Sequence, residues 1–217
     1  KGAMLSHGNI VCNVQQAGAL FSTYPFREGE ELLVLPLPLY HIYAFNACMT
    51  MMARGCHTVL IPNPRDLQSL VAAFREFRPS GFAGLNTLFV ALCNDDGFRA
   101  LDFTRLKLTM SGGMALTMDA ARRWQEVTGV EIVEGYGMSE TSPVISVNPV
   151  NANRLGTIGI AVPSTEVRLL DDDGNEVQAG EPGELVVRGP QVMLGYWNQA
   201  GETAKVLSPE GWLHTGD

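Results

Sequence analysis

The sequence predicts an α/β protein in which a mostly parallel sheet is flanked by helices and followed by a smaller β-rich subdomain. Short apolar segments alternate with segments of helical apolar spacing over residues 1–155, which implies a parallel sheet covered on both faces. Residues 156–217 show little helical periodicity. Charge changes as well: residues 166–217 carry ten acidic and three basic side chains, whereas the preceding 165 residues have a net charge of −1. We therefore expect two subdomains, 1–155 and 156–217.

Each element of the first region has its own signal. Asp66 and Thr117 are suited to cap helix N-termini, and Pro79 and Gly129 are suited to end those helices. Apolar residues at helical spacing also predict helices over 8–20, 39–53 and 87–93. Short apolar runs predict strands over 32–35, 57–61, 81–84, 106–110 and 130–133.

The second region is predicted to contain a hairpin and one further strand. Residues 166–170 and 176–177 flank the polar run Asp171–Asn175, whose glycine suits a turn. Residues 183–188 are predicted to form the next strand. We expect a small β subdomain here.

Composition excludes several classes of protein. With 46% hydrophobic and 18% charged residues among 217, the chain is globular, and its net charge of −8 argues against nucleic-acid binding. The four cysteines lack metal-ligand spacing, so we expect buried, reduced thiols and a cytoplasmic location. No signal peptide or membrane span is expected. Because the sequence starts at Lys1 rather than Met, we expect a piece of a longer protein.

Two glycine-rich segments follow predicted strands, where α/β proteins bind ligands. In Ser111–Met114, Gly112 and Gly113 would let a flat ligand approach the backbone, and the next helix N-terminus favours anions. A tight strand-to-helix turn explains the same residues, and on this segment alone we favour it.

The second segment, Gly135–Pro143, is richer in functional groups. Tyr136 could stack on a base, Ser139 could donate to a phosphate, and Glu140 could hold Mg²⁺ together with phosphate oxygens. A solvated polar loop is the equally weighted alternative. His41 follows another predicted strand; on its own, a structural role is the better interpretation.

Taken together and in order, these segments resemble the acyl-adenylate-forming superfamily. Within it, residues 86–89, 144–149, 189–197 and 211–217 are most similar to bacterial long-chain fatty acid–CoA ligases. Lys1–His7 resembles the superfamily's phosphate loop, Leu37–His41 its second core motif, and Ser111–Leu116 its adenine loop. Gly135–Thr141 resembles the adenylate signature, Gly183–Pro190 with Gly195–Trp197 the following β motif, and Trp212–Asp217 the ribose motif.

The resemblance implies a two-step reaction. A fatty acid and Mg-ATP give acyl-AMP and pyrophosphate, and the thiol of coenzyme A then displaces AMP. It also implies roles for individual residues: Tyr136, within Gly135–Gly137, stacks on adenine beside Gly112 and Gly113; Ser139 contacts the α-phosphate; Glu140 binds Mg²⁺; Asp217 binds ribose; His41 lies near the carboxylate and the thiol; and Lys1 belongs to the mobile phosphate loop.

The substrate class follows from one local comparison. Amino-acid-activating relatives usually carry an acid after the His motif, and residues 32–65 here contain none, which favours an apolar acid. Tyr43, Phe45, Met49, Phe82 and Phe89 could line an acyl tunnel, although each is better explained as a core residue.

Two other functions remain open: an adenylating ligase for another carboxylic acid, and a non-catalytic nucleotide-binding module. The resemblance also leaves open a peripheral contact of the parent protein with the inner membrane, which the acidic residues 166–217 disfavour on an anionic surface. Because the front of the phosphate loop and the C-terminal lid domain are missing, we expect the isolated chain to be inactive.

Overall fold

A computed structural model describes residues 1–21 and 25–217. In chain order the helices are His7–Phe21 (α1), Ile42–Ala53 (α2), Leu67–Phe77 (α3), Asn86–Cys93 (α4), Asp96–Arg99 (α5), Met118–Thr128 (α6) and Ala200–Val206 (α7). The strands are Ala3–Met4 (β1), Leu32–Leu35 (β2), His57–Leu60 (β3), Gly81–Gly84 (β4), Leu108–Ser111 (β5), Ile132–Gly137 (β6), Val144–Val147 (β7), Ile160–Ala161 (β8), Glu166–Leu170 (β9), Glu184–Arg188 (β10), Gly195–Tyr196 (β11) and Leu213–His214 (β12).

The predicted mostly parallel sheet is confirmed. Across the described residues its order is β3-β2-β4-β5-β6-β7-β8, and the pairings from β3 to β6 are all parallel. The strands β7 and β8 then add to the edge in antiparallel orientation. Because the parallel strands share one direction, the segments after β2, β5 and β6 meet at one edge of the sheet.

Local signals located the helix ends well. Asp66 and Thr117 accept hydrogen bonds from backbone amides in the first turns of α3 and α6, and Gly129 ends α6 in the left-handed conformation. The helix predicted over 39–53 begins only at Ile42, because His41 serves as its N-cap.

Two strands lie at least one residue away from their predicted positions at both ends. The strand expected over 106–110 is displaced to Leu108–Ser111, and the one expected over 130–133 becomes Ile132–Gly137. The second difference affects the site, since Gly135–Gly137 was expected to be loop. These residues instead pair with β7, a strand that the sequence analysis did not predict.

Aromatic side chains form the core on one face of the sheet. Trp124 of α6 is fully buried, stacks on Phe82 with 5.4 Å between ring centroids, and meets Phe89 edge-on at 5.0 Å. Its indole N–H donates to the hydroxyl of Thr109 at 3.0 Å, which satisfies the buried donor. Phe82 and Phe89 are thus core residues, as preferred from the sequence.

The second region contains a small antiparallel sheet in the order β12-β10-β9. The predicted turn is present, because Leu170 bridges Glu176 across it, but β9 forms its longer pairing with β10. One helix, α7, was not expected in this region. Its seven residues contain no buried side chain, so apolar periodicity could not reveal it.

Strand pairings join residues that precede residue 155 to residues that follow it. The strand β8 extends the large sheet, and β1 at the start of the chain pairs with β11. Close to β1, the side-chain Nδ2 of Asn9 donates to the backbone carbonyl oxygens of Pro190 and Val192 at 2.7 and 2.9 Å. The division at residue 155 stays a prediction.

Three of the four cysteines are buried as expected, whereas Cys12 is half-buried; all four are free thiols. Within the described residues, none of the helices has the length and apolar character needed to cross a membrane.

Candidate nucleotide and acyl site

A cleft of about 400 Å³ opens at the carboxyl edge of the sheet. Residues from three predicted segments line it together, after β2, after β5 and along β6. Of the candidate residues, the cleft is lined by His41, Gly112, Gly113, Gly135, Tyr136, Gly137, Ser139 and Glu140. The other two candidates, Lys1 and Asp217, lie outside this lining.

The segment from Met138 to Val144 forms a compact loop beside the cleft. The Met138 amide donates to the carbonyl of Pro143 at 3.1 Å, and a 3₁₀ turn over Ser139–Thr141 lies between them. A Cβ atom on Gly137 would overlap with the Pro143 carbonyl, so this position requires glycine. The loop places the exposed Ser139 and the half-buried Glu140 on the cleft lining.

Buried Asn side chains of α1 and α2 form hydrogen bonds with the backbone of this loop. Asn13 of α1 accepts from the Val144 amide and donates to the Val144 carbonyl, both at 2.9 Å. Asn46 of α2 donates to Asn13 Oδ1 at 3.0 Å and to the carbonyl of Ser142 at 3.1 Å. The Ser142 hydroxyl donates to the carbonyl of Gln191 at 2.9 Å. We call Asn13, Gln16, Asn46 and Gln191 the amide cluster.

Sequence reasoning did not identify the amide cluster. It noted only that residues 32–65, a range that includes Asn46, contain no acidic side chain. The signal was nevertheless present, because Asn13, Gln16 and Asn46 lie on the buried faces of predicted helices, where an uncharged amide needs partners.

Tyr136 and Asp217 are in contact. The Tyr136 hydroxyl donates to Asp217 Oδ2, and burial together with this carboxylate raises the pKa of Tyr136 to about 12. The phenol therefore stays protonated near neutral pH. The contact places Asp217 at the cleft margin although it is not part of the lining.

Gly112 and Gly113 provide a bare stretch of backbone. Gly113 has φ +80°, a conformation that other residues rarely adopt. A Cβ on Gly112 would lie 3.4 Å from the ring of Tyr43, so the backbone approaches this aromatic ring closely. The Tyr43 hydroxyl donates to the Met110 carbonyl at 3.4 Å, and burial raises the pKa of Tyr43.

His41 occupies a helix cap that faces the cleft. Its Nδ1 accepts from the Tyr43 amide at 3.2 Å, so the structural role expected from the sequence is present. The imidazole is exposed and lies on the lining. With Nδ1 accepting, the neutral ring carries its proton on Nε2, which is then a potential donor to a ligand.

Lys1 lies on the far side of Tyr196. Its ammonium forms an ion pair with Glu202 of α7 at 2.5 Å and lies 5.2 Å from the centroid of the Tyr196 ring. Lys1 and Lys205 together hold the pKa of Glu202 at about 2. Tyr196, in turn, donates to Glu140, so Lys1 is linked to the cleft through one intervening ring.

Glu140 is the group on the cleft lining that could bind a divalent cation. Among the described residues, no three His, Cys, Asp or Glu side chains converge as a metal cage. Glu140 is nevertheless a carboxylate on the lining, and Mg²⁺ characteristically uses one or two carboxylates with substrate phosphates.

Comparisons with known proteins agree with this architecture. The sequence profile of the family described as AMP-binding enzyme matches residues 1–197. Long-chain-fatty-acid–CoA ligases from Escherichia coli O157:H7 and Haemophilus influenzae are 47% and 45% identical over the whole chain. The chain spans 39% of the length of each.

A solved structure gives the same result for the fold. ATP-bound MatB from Rhodopseudomonas palustris superimposes with a TM-score of 0.88 at 29% identity, covering 100% of this chain and 42% of that protein. With a matching family profile over most of its length, the chain belongs to the AMP-binding enzyme family.

Proposed function

We propose that the chain supplies the nucleotide and acyl sites of an ATP-dependent long-chain fatty acid–CoA ligase. The observation that carries the proposal is the cleft, whose lining combines polar groups with apolar side chains. Tyr136, Ser139 and Glu140 supply polar groups to the lining. Its apolar lining includes Ala17, Leu20, Ala47, Leu108, Val133 and Val147.

The apolar lining argues for the class of acid. A fatty chain gains about 25 cal/mol for each Å² of apolar surface that it buries. An amino acid would bring an ammonium group into the same space, and Glu140, the one carboxylate on the lining among the described residues, is assigned to Mg²⁺ in this proposal. Charge burial without a partner is costly, so an uncharged chain fits better.

The reaction requires positioning rather than a nucleophilic side chain. The acid's carboxylate attacks the α-phosphate of ATP, pyrophosphate leaves, and the thiol of coenzyme A later displaces AMP from the acyl carbon. Tyr136 offers a face to adenine, the backbone at Gly112 and Gly113 borders its edge, and Ser139 donates to phosphate oxygens. Holding both reactants in line accounts for a large part of such catalysis.

Three further roles complete the proposal. Asp217 accepts from the ribose hydroxyls, since a carboxylate can accept several hydrogen bonds in addition to the one from Tyr136. His41 Nε2 donates near the carboxylate and the entering thiol. Glu140 holds Mg²⁺, which when bound neutralises phosphate charge; Lys1 belongs to the segment that approaches the pyrophosphate.

The test is ATP–pyrophosphate exchange without coenzyme A, on the full-length protein that contains this chain, with acids from four to eighteen carbons. We expect exchange to be strongest with long acids and to fall at least about a hundredfold in Glu140→Gln. The matched control, Glu126→Gln on the exposed face of α6, should exchange normally. Exchange confined to aromatic or short acids would support a ligase for another acid, and no exchange would support a non-catalytic binding module.

A further inference from the structure

Tyr196 is a buried residue that is not part of the cleft lining, but its hydroxyl contacts Glu140, which is. It lies in β11, is 8% exposed, and donates to Glu140 Oε1 at 2.7 Å. Its ring packs in an apolar cluster with Ile145 and Leu213. The Gly195–Trp197 segment was identified in the sequence as part of a motif, but no role was assigned to Tyr196.

The same segment holds the backbone of Glu140. The Met193 amide donates to the carbonyl of Glu140 at 2.8 Å, three residues before Tyr196. Glu140 is therefore restrained at its main chain and at its carboxylate by one stretch of chain. Two restraints fix the orientation of a side chain far better than one.

The donor is itself rigidly mounted. The Tyr196 amide donates to the Thr203 hydroxyl at 2.8 Å, and the Gln199 amide donates to the Tyr196 carbonyl at 3.2 Å. β11 also pairs with β1, and Lys1 lies near the ring.

We propose that Tyr196 is a positioning residue that orients the Glu140 carboxylate for a divalent cation bound with the nucleotide. Because the hydroxyl donates to Oε1, Oε2 would be available to hold the cation. This inference rests on the proposed function, since it assigns Glu140 to the metal. Groups that orient metal ligands typically contribute 10- to 100-fold to metal affinity, although they do not touch the metal.

The experiment compares two nucleotide affinities by calorimetry on the full-length protein that contains this chain: ATP with excess Mg²⁺, and ATP with EDTA. The ratio of these affinities is the metal enhancement. Tyr196→Phe keeps the ring and removes only the hydroxyl. We expect it to reduce the metal enhancement about tenfold or more while the affinity for metal-free ATP changes less than twofold.

Two variants bracket the result. Ser69→Ala removes an exposed hydroxyl on α3, away from the cleft lining, and should leave the enhancement unchanged. Glu140→Gln should abolish the enhancement, and adding Tyr196→Phe to it should then have no further effect, because the hydroxyl acts through the carboxylate. Thermal unfolding of each variant checks that the fold is retained.

The possible results separate the two proposals. If wild-type protein binds ATP with a metal enhancement that Tyr196→Phe retains, the positioning role is wrong and the proposed function stands. If Tyr196→Phe weakens metal-free ATP binding as much as Mg-ATP binding, the residue is merely structural. If wild-type protein binds no ATP, both proposals fail.

Discussion

Replacing Asn13 with Ala tests whether the amide cluster holds the Met138–Val144 loop in place. Asn13 is fully buried, and its amide joins α1 to the Val144 backbone through two hydrogen bonds of 2.9 Å. A third bond of 2.9 Å reaches Gln16 Oε1. The substitution removes these three bonds and the one from Asn46. The Val144 carbonyl and Asn46 keep the Gln191 side chain and the Ser142 carbonyl as partners, whereas the Val144 amide and Gln16 Oε1 lose the bond to Asn13.

The expected magnitude follows from these two groups. A buried polar group that loses its partner costs about 1–3 kcal/mol, so two cost about 2–6 kcal/mol. Alanine recovers up to about 0.7 kcal/mol through its higher helix propensity. We therefore expect Asn13→Ala to lower the free energy of unfolding by about 1–5 kcal/mol.

The assay is urea unfolding of wild-type and variant chains, followed by tryptophan fluorescence, because Trp124 is buried in the core. The matched control is Gln15→Ala, an exposed position on the same helix, which should change stability by less than about 0.5 kcal/mol. If the two variants proved equally stable, the amide cluster would not be holding the loop, and our account of how Glu140 is placed would lose its support.

Three further predictions concern other parts of the fold. Burial raises the pKa of Glu31, but hydrogen bonds and the charge of Lys107 lower it by more, so the net pKa lies below its usual value. The ionised Glu31 therefore stabilises the fold above its unfolded pKa, and this stabilisation is lost as pH falls through the folded pKa. Glu31→Gln should accordingly make the melting temperature fall less steeply with acid. Trp124→Phe removes ring volume and the indole hydrogen bond, and should cost about 2 kcal/mol in urea unfolding; a loss below about 0.5 kcal/mol would contradict the packing described. Gly159→Ala places a Cβ in overlap with the β7 backbone at φ +81°, whereas Gly156→Ala at φ +79° meets open space. The first variant should therefore melt markedly lower than the second, and equal melting temperatures would contradict the close approach of Gly159 to β7.

Local signals were sufficient for the parallel half of the fold. Asp66 and Thr117 cap helices because a short side-chain oxygen satisfies amides within three residues, and this interaction is visible in the sequence itself. The alternation of strands and helices then constrains the sheet to be parallel, and it brings His41, Gly112 and Tyr136 to one edge. This part of the site could therefore be predicted.

The rest of the site depends on contacts between distant segments. Tyr196 meets Glu140 across 56 residues, and Asn13 meets Val144 across 131. No local propensity encodes such pairs. The pairing of β6 with β7 was missed for the same reason. Gly135–Gly137 has the composition of a turn, and it extends β6 only because β7 pairs with it.

The pairing of β1 with β11 has a consequence for the order of folding. The Asn9 contacts join residues 181 and 183 positions apart, and β11 belongs to the segment that restrains Glu140. Closing a loop of that length is entropically costly, so this part should form after the local helices and the parallel strands. A partly folded chain would then contain the intact parallel sheet, while the segment that restrains Glu140 would not yet be in place. Hydrogen exchange should find the amides around residues 190–197 opening before those of β4 and β5, so that the site disassembles while the scaffold persists.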